Sequence, residues 1–225
     1  MKKSWGHKPI VLIVAMMVCF PVFLMASDLG QPGEKEKLSI HYLRDEYSKN
    51  KSYPSELERE ILTALSFYPE LKHTSIEFRF SKIKTTMSAM PKGIFLLKKK
   101  DKREYVIRIN PGIKTKAISY KELSSNALIG VIGHELGHIL DYESMKNREI
   151  VGFAVQYLQP RKRKAIEART DMIAIHHHLG WELFQFSDYV FYRSQAPKEY
   201  LEYKEEFYFN PEQINTLLRL IPGLY

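Results

Sequence analysis

Cysteine is almost absent from this sequence. Cys19 is the only one in 225 residues, and it lies in an apolar run near the N-terminus, so the chain that follows has none. This absence excludes a fold held together by disulfide bonds. Internal repeats and long low-complexity segments are absent as well. The apolar and charged fractions, 44% and 27%, are those of a globular protein rather than a disordered one.

The first 26 residues differ from the rest of the chain. Three lysines precede an uncharged, largely apolar run over residues 10–26, which is the pattern of a signal peptide. We therefore expect residues 1–26 to direct export to the periplasm or out of the cell, with cleavage after Ala26. The alternative is an uncleaved membrane anchor formed by residues 10–26. A helix of this length spans only about 25 Å, which is marginal for a bilayer.

Two further regions follow the leader. Residues 27–53 are expected to form a linker and an N-terminal segment, because glycine, proline and charged residues are frequent at their start. Residues 54–225 are long enough for one domain with a substantial core, or at most two small ones. The net charge of the chain is +8. About +5 remains without the leader, a balance that permits contact with acidic surfaces but does not indicate one.

Three segments between residues 75 and 110 have the pattern of β-strands. Ser75–Ser81 alternates apolar with charged residues, as expected of a half-buried strand. Residues 82–92 are predicted to form a loop. Gly93–Lys98 and Glu104–Asn110 are predicted to form a hairpin around a charged turn.

The chain beyond these strands is predicted to be helical. Ser119 and Glu122 match a capping box, so a long helix should begin there and continue to about Glu143. Shorter helices are expected on both sides of this region, at residues 38–47, 54–68, 150–158, 162–178, 181–193, 198–207 and 211–220. Strands followed by helices indicate an α+β fold.

The long helix contains the sequence His134-Glu135-Leu136-Gly137-His138. Four residues advance a helix by about 400°, so His134 and His138 stand one turn apart on one face, where two imidazoles can bind one zinc ion. Glu135 is rotated by about 100° from His134, so it misses the metal but can reach a water molecule beside it. Zinc lowers the pKa of such a water to about 7, and a carboxylate can take its proton, as in zinc peptidases. The alternative is a buried helix with two hydrogen-bonded histidines.

A catalytic zinc site needs three protein ligands and one open position. Glu167 and Asp171 lie one turn apart on a later predicted helix and are the best candidates to complete the site. Glu167 can bind the metal, while Asp171 can accept a hydrogen bond from a ligand imidazole and fix its tautomer. Glu149 and Glu182 are lesser candidates for the third ligand. The alternative for Glu167 and Asp171 is an ordinary solvated helix face.

These two motifs resemble those of a known family. H-E-L-G-H at residues 134–138, followed by E-A-R-T-D at residues 167–171, is similar to the gluzincin metallopeptidases. The nearest group is that of the CAAX prenyl proteases, the HtpX-like membrane proteases and the small soluble minigluzincins. The resemblance covers about residues 54–178 and implies a sheet whose edge strand, Glu104–Asn110, pairs with extended substrate. No pair of apolar spans surrounds the motifs, which favours the compact soluble type.

The resemblance also implies a fold and a ligand set. The fold would be zincin-like, with a small antiparallel-edged sheet, then an active-site helix and a mainly helical C-terminal part. One zinc ion per chain would be bound by His134, His138 and Glu167. Glu135 would serve as general base and acid, and Asp171 as the hydrogen-bond partner of a ligand histidine.

The function that we expect is an exported zinc endopeptidase acting on peptides or proteins in extended conformation. One alternative is a non-catalytic zinc-binding module with an interaction or chaperone-like role. Another is a narrow processing enzyme that stays inactive until a partner opens its cleft. Membrane contact is expected only through the N-terminal segment, if that segment is not cleaved.

Other polar clusters have simpler interpretations. The basic runs at residues 98–100 and 161–164 fit a hairpin tip and a solvated helix start, so no nucleic-acid partner is expected. His176–His178 fits a solvated helix end. The C-terminal third is rich in tyrosine, and one of these could donate a hydrogen bond to an oxyanion. The sequence does not single one out.

Overall fold

The computed structural model describes residues 38–112 and 117–221. The predicted signal peptide or anchor at residues 1–26 and the first part of the predicted linker lie outside these residues. Among the helices that are described, none is both long and apolar enough to cross a membrane.

A small mixed sheet lies beside the helices. Its strands are β1 (Lys51–Ser52), β2 (Ser75–Phe80), β3 (Met87–Pro91) and β4 (Glu104–Ile109). They lie in the order β1-β2-β4-β3, with β1 and β4 parallel to β2 and β3 antiparallel to β4. Strands β2 and β4 form where alternation of apolar residues predicts them, and most of their apolar side chains are buried in the core, whereas Phe80 at the end of β2 is exposed. The predicted antiparallel edge and α+β class are confirmed.

The predicted strand Gly93–Lys98 is instead a turn. Residues Phe95–Leu97 form a short 3₁₀ helix. The side-chain amide of Asn147 donates hydrogen bonds to three carbonyls of this segment, at 2.9–3.2 Å. A residue about fifty positions away therefore holds these carbonyls in a turn, and local alternation could not reveal it.

The strand that pairs antiparallel with β4 is β3, which lies in the predicted loop at residues 82–92. β3 has the sequence Met-Ser-Ala-Met-Pro, which contains no β-branched residue and so gives little strand signal. Because β2 and β3 flank β4, the prediction that Glu104–Asn110 is the sheet edge is wrong. The edge strands are β1 and β3, and β3 packs against the helix that carries the histidine motif.

Eight α-helices are found in the described residues. They are α1 (Ile40–Tyr47), α2 (Glu58–Ser66), α3 (Ser125–Ser144), α4 (Asn147–Tyr157), α5 (Pro160–Ala174), α6 (Gly180–Asp188), α7 (Lys198–Phe207) and α8 (Pro211–Leu220). The bounds of α7 and α8 are those predicted. α1 packs on α2, and its Leu43 lies in the core.

The long helix begins later than the capping box predicts. Ser119 and Glu122 do form a capping box, but it closes only a 3₁₀ turn at Tyr120–Glu122. The helix α3 starts at Ser125, where the Ser124 side chain accepts a hydrogen bond from a backbone N–H. The chain therefore bends once more before entering the helix.

Helix α3 is buried on most of its surface. It packs against α2, α5, α6 and β3. Two glycines allow the closest approaches: a Cβ on Gly130 would lie 2.3 Å from backbone atoms of Glu182, and one on Gly133 would lie 2.4 Å from Leu179 Cδ1. The apolar run of α3 thus forms the centre of the core, which carries its two histidines away from bulk water.

Candidate metal centre

The two histidines of α3 meet a glutamate of α5. His134 and His138 are buried, and their ring centroids lie 4.9 Å apart. Glu167 is 0% exposed. Its Oε2 lies 3.1 Å from Nε2 of His134 and 3.3 Å from Nε2 of His138. All three ligand atoms lie within 4.8 Å of one another, so this buried group could hold a metal ion.

Two of the three donor separations fit a tetrahedral ion. Zinc bonds of about 2.0–2.1 Å to nitrogen and oxygen give a tetrahedron with edges of about 3.3–3.4 Å. The two separations between imidazole nitrogen and carboxylate oxygen, 3.1 and 3.3 Å, match such edges. Two imidazoles and one carboxylate also form a donor set that catalytic zinc sites use.

Hydrogen bonds on the far side of each ring direct Nε2 toward the centre. His134 Nδ1–H donates to Asp171 Oδ1 at 2.7 Å, and Asp171 Oδ2 accepts from the backbone N–H of Phe209 at 3.1 Å. His138 Nδ1 lies 3.3 Å from the hydroxyl of Thr170, which itself donates to a backbone carbonyl. With Nδ1 as donor in both rings, Nε2 is the nitrogen that faces the centre, and loss of any proton there leaves the lone pair that a metal requires.

The charges of the cluster favour a bound cation. Burial lowers the pKa of His134, but the hydrogen bonds and charges of Asp171 and Glu167 outweigh it and raise that pKa to about 10. Burial raises the pKa of Glu167, but the two imidazoles outweigh it and hold the pKa well below its ordinary value. The carboxylate is therefore ionised, and positive charge is stabilised between the two helices.

Glu135 lies beside this group and has an unsatisfied carboxylate. The residue is 6% exposed, and its Oε2 has no hydrogen-bond partner in the described part of the chain. It lines, with His134 and Asp171, a small cavity of about 30 Å³. A buried oxygen without a partner costs about 1–3 kcal/mol, so its retention here is typical of a group kept for chemistry rather than for stability.

Two tyrosines also reach the cluster. Tyr157 of α4 donates a hydrogen bond to Glu167 Oε1. Tyr208, between α7 and α8, lies with its ring centroid 5.6 Å from that of His134. Burial, and then the charge of Glu167, raise the pKa of both phenols, so both stay protonated at neutral pH. A tyrosine-rich C-terminal third is the only sequence signal for Tyr208, and Tyr157 and Thr170 have none.

The other predicted candidates lie elsewhere. Glu149 is exposed and caps α4 through the backbone N–H of Lys146. Glu182 is on α6 and is not part of the three-residue group. The predicted helix 162–178 ends early, at Ala174. His177 then stacks on Tyr68 with centroids 4.2 Å apart, so this histidine packs against the core instead of forming a solvated helix end.

Comparison with protein families, curated proteins and solved structures finds no match to this chain. The buried ligand group and its immediate surroundings are therefore the features that indicate a function. The gluzincin resemblance stays a prediction from the two motifs.

Proposed function

We propose that this chain is an exported zinc metallopeptidase of the gluzincin type, with a zincin-like fold. His134, His138 and Glu167 would bind one zinc ion per chain. The observation that carries the proposal is the buried Oε2 of Glu135, which has no hydrogen-bond partner in the described residues and lies beside a group of three potential metal ligands. A structural metal site needs no acid–base group, whereas hydrolysis of a peptide bond does.

The chain's own residues supply the remaining chemistry. A zinc ion at this site supplies a Lewis acid that polarises a peptide carbonyl and makes water more acidic. Glu135 accepts a proton from water at Oε2 and returns it to the nitrogen of the departing amine. Tyr208 remains a phenol and can donate a hydrogen bond to the carbonyl oxygen as negative charge grows there, a contact worth about 3 kcal/mol.

The free edge of the sheet supports an extended substrate. Of the two outer strands, β3 is the one that packs against α3, which carries the histidine motif. An edge strand offers unpaired N–H and C=O groups, and an extended peptide can bind them as an added strand. We therefore assign substrate binding to Met87–Pro91 rather than to β4.

The burial of the ligand group favours two alternatives. The cavity beside Glu135 has a volume of about 30 Å³, whereas ligand clefts usually enclose about 300–1,000 Å³. A non-catalytic zinc-binding module with an interaction or chaperone-like role would need no wider opening. A narrow processing enzyme would open when a partner binds. The unpaired Oε2 of Glu135 favours an enzyme, with a general or a narrow substrate range, over the non-catalytic module.

A single substitution tests the proposal. Glu135→Gln in the zinc-loaded full chain should keep one zinc per chain but lose at least about 100-fold in hydrolysis of casein, because an amide cannot accept the proton. Glu149→Gln, which changes an exposed carboxylate outside the site, is the matched control and should retain activity.

Each proposed role gives a different result. Equal hydrolysis by Glu135→Gln and the parent would contradict the mechanism. A parent that binds zinc but cleaves neither casein nor a peptide library would favour the non-catalytic module. Cleavage of only one sequence in the library would favour the processing enzyme.

A further inference from the structure

The cavity beside Glu135 has a buried lysine in its wall. Lys204 of α7 is 6% exposed, yet it lines this cavity together with His134 and Glu135. Buried lysines are rare unless a partner neutralises them. Within residues 38–112 and 117–221, the ammonium group has neither a carboxylate nor a hydrogen-bond acceptor bound to it.

Aromatic rings hold the ammonium group in place. Lys204 Nζ lies 3.7 Å from the ring centroid of Tyr208, 5.4 Å from that of Phe186 and 5.8 Å from that of Tyr200. Cation–π contacts of this kind stabilise a desolvated ammonium group but do not satisfy its N–H donors. The ammonium group is therefore held in the wall, and its N–H groups remain available to donate hydrogen bonds.

Two hydroxyl groups of the wall have partners within the protein. The hydroxyl of Thr86 bonds to the Tyr200 hydroxyl at 2.9 Å, and Ser187 donates to the carbonyl of Phe209 at 3.1 Å. The rest of the wall is mainly apolar, from residues such as Val131, Leu183, Phe186 and Val190. In the described wall, Oε2 of Glu135 has no hydrogen-bond partner, and the Lys204 ammonium forms no ion pair with this carboxylate.

We propose that this cavity is a carboxylate-binding subsite and that Lys204 selects substrates with a carboxylate next to the scissile bond. This inference rests on the proposed peptidase function. The cavity has room for about two water molecules, which is close to the size of one carboxylate group. The carboxylate can belong to an Asp or Glu side chain or to the C-terminus of the peptide.

Neighbouring acids do not cancel this preference. Asp171 and Glu167 contact the imidazoles of His134 and His138, and in the zinc-loaded chain the two positive charges of the ion would offset those of the two carboxylates. Only Glu135 adds an unpaired negative charge to the cavity. The aromatic contacts with Tyr208, Phe186 and Tyr200 fix the Lys204 ammonium in the wall, so an incoming carboxylate has one defined cation to bind.

Peptide pairs test the subsite in the zinc-loaded full chain. Quenched fluorogenic peptides are compared with Glu or Gln on either side of the scissile bond, and with a free or amidated C-terminus. We expect kcat/KM to favour one carboxylate form at least tenfold in the parent. Preference for internal Glu assigns a side chain, and preference for the free C-terminus assigns the terminal carboxylate. A parent without either preference would overturn the proposal.

Variants of Lys204 separate its charge from its packing. Lys204→Met keeps the length and apolar contacts of the side chain and should bring the ratio close to one, while Lys204→Arg restores most of it. Lys198→Met, on an 85% exposed residue of the same helix, should keep the parental ratio. If Lys204→Met misfolds, Lys204→Arg still tests the proposal, because a subsite that depends on positive charge should keep the carboxylate preference when another cation replaces the lysine. Loss of the preference in folded Lys204→Arg, or its persistence in folded Lys204→Met, would overturn the proposal.

Binding to a zinc-loaded Glu135→Gln variant keeps this test apart from the test of hydrolysis. Isothermal titration of the carboxylate and amide peptides should give at least a tenfold difference in Kd, and the added Lys204→Met change should remove it. Selective binding without hydrolysis by the parent would retain the subsite and refute the peptidase. Hydrolysis by the parent without selective binding would retain the peptidase and refute the subsite.

Discussion

Replacement of Asp171 by Asn tests how the protein prepares His134 for a metal. The carboxylate accepts two hydrogen bonds, from His134 Nδ1 at 2.7 Å and from the Phe209 backbone N–H at 3.1 Å. An Asn side chain has one accepting oxygen and one donating NH₂ group. One of the two donors must therefore face a donor. If the donor that faces the NH₂ group is His134, its proton must move from Nδ1 to Nε2, and Nε2 then has no lone pair for a metal.

The size of the effect follows from these two contacts. Loss of a hydrogen-bond partner behind a ligand histidine typically weakens metal binding by about 10–100-fold, which corresponds to about 1.4–2.8 kcal/mol. A Phe209 N–H left without an acceptor would in addition lower the free energy of unfolding by about 1–3 kcal/mol, with or without metal. We therefore expect weaker zinc binding, a less stable metal-free protein, or both.

Competition with a chromophoric chelator measures the zinc Kd, and urea unfolding in excess chelator measures the stability of the metal-free chain. Asp188→Asn is the matched control, because Asp188 pairs with Arg193 at 2.8 Å and is not in the ligand group. An Asp171→Asn protein with both zinc affinity and stability equal to those of the control would refute the reasoning.

Two further predictions concern the helix that carries the motif and its charge. Gly130→Ala should lower the free energy of unfolding by about 1–3 kcal/mol, because the new methyl group would clash with the Glu182 backbone. Gly152→Ala has open space around it and should raise the free energy of unfolding by up to about 1 kcal/mol. Equal urea midpoints for the two variants would contradict this prediction. In the metal-free chain the pKa of His134 is raised to about 10, so its stabilising effect is complete below about pH 6.5 and is lost as the pH rises toward 10. Urea unfolding in chelator should show this loss in the parent and not in His134→Gln.

The sequence predicts those parts of the fold that depend on neighbours in the chain. α7 and α8 have the predicted bounds, because Pro197 and the Asn210–Pro211 pair mark their starts locally. β2 and β4 follow from alternation of apolar residues. The conformation of residues 93–98 cannot be predicted from alternation, because Asn147, which is distant in the sequence, holds this segment in a turn.

The same distinction applies to the metal centre. The spacing of His134 and His138, and that of Glu167 and Asp171, can be read from helical periodicity. The contacts of other residues cannot. Thr170, Tyr157, Tyr208 and Lys204 reach the centre only through the packing of α4, α5 and α7, and their own sequence neighbourhoods contain no pattern that marks them.

The division of the ligand group between two helices has a consequence for the unfolded chain. An ion bound by α3 and α5 would close a loop of about 30 residues, and a cross-link of that span removes about 3–4 kcal/mol of denatured-state entropy. Since Cys19 is the only cysteine, no covalent bridge within the chain can do this. The lifetime of the protein would then depend on the supply of metal, and a chelator would expose the chain to proteolysis.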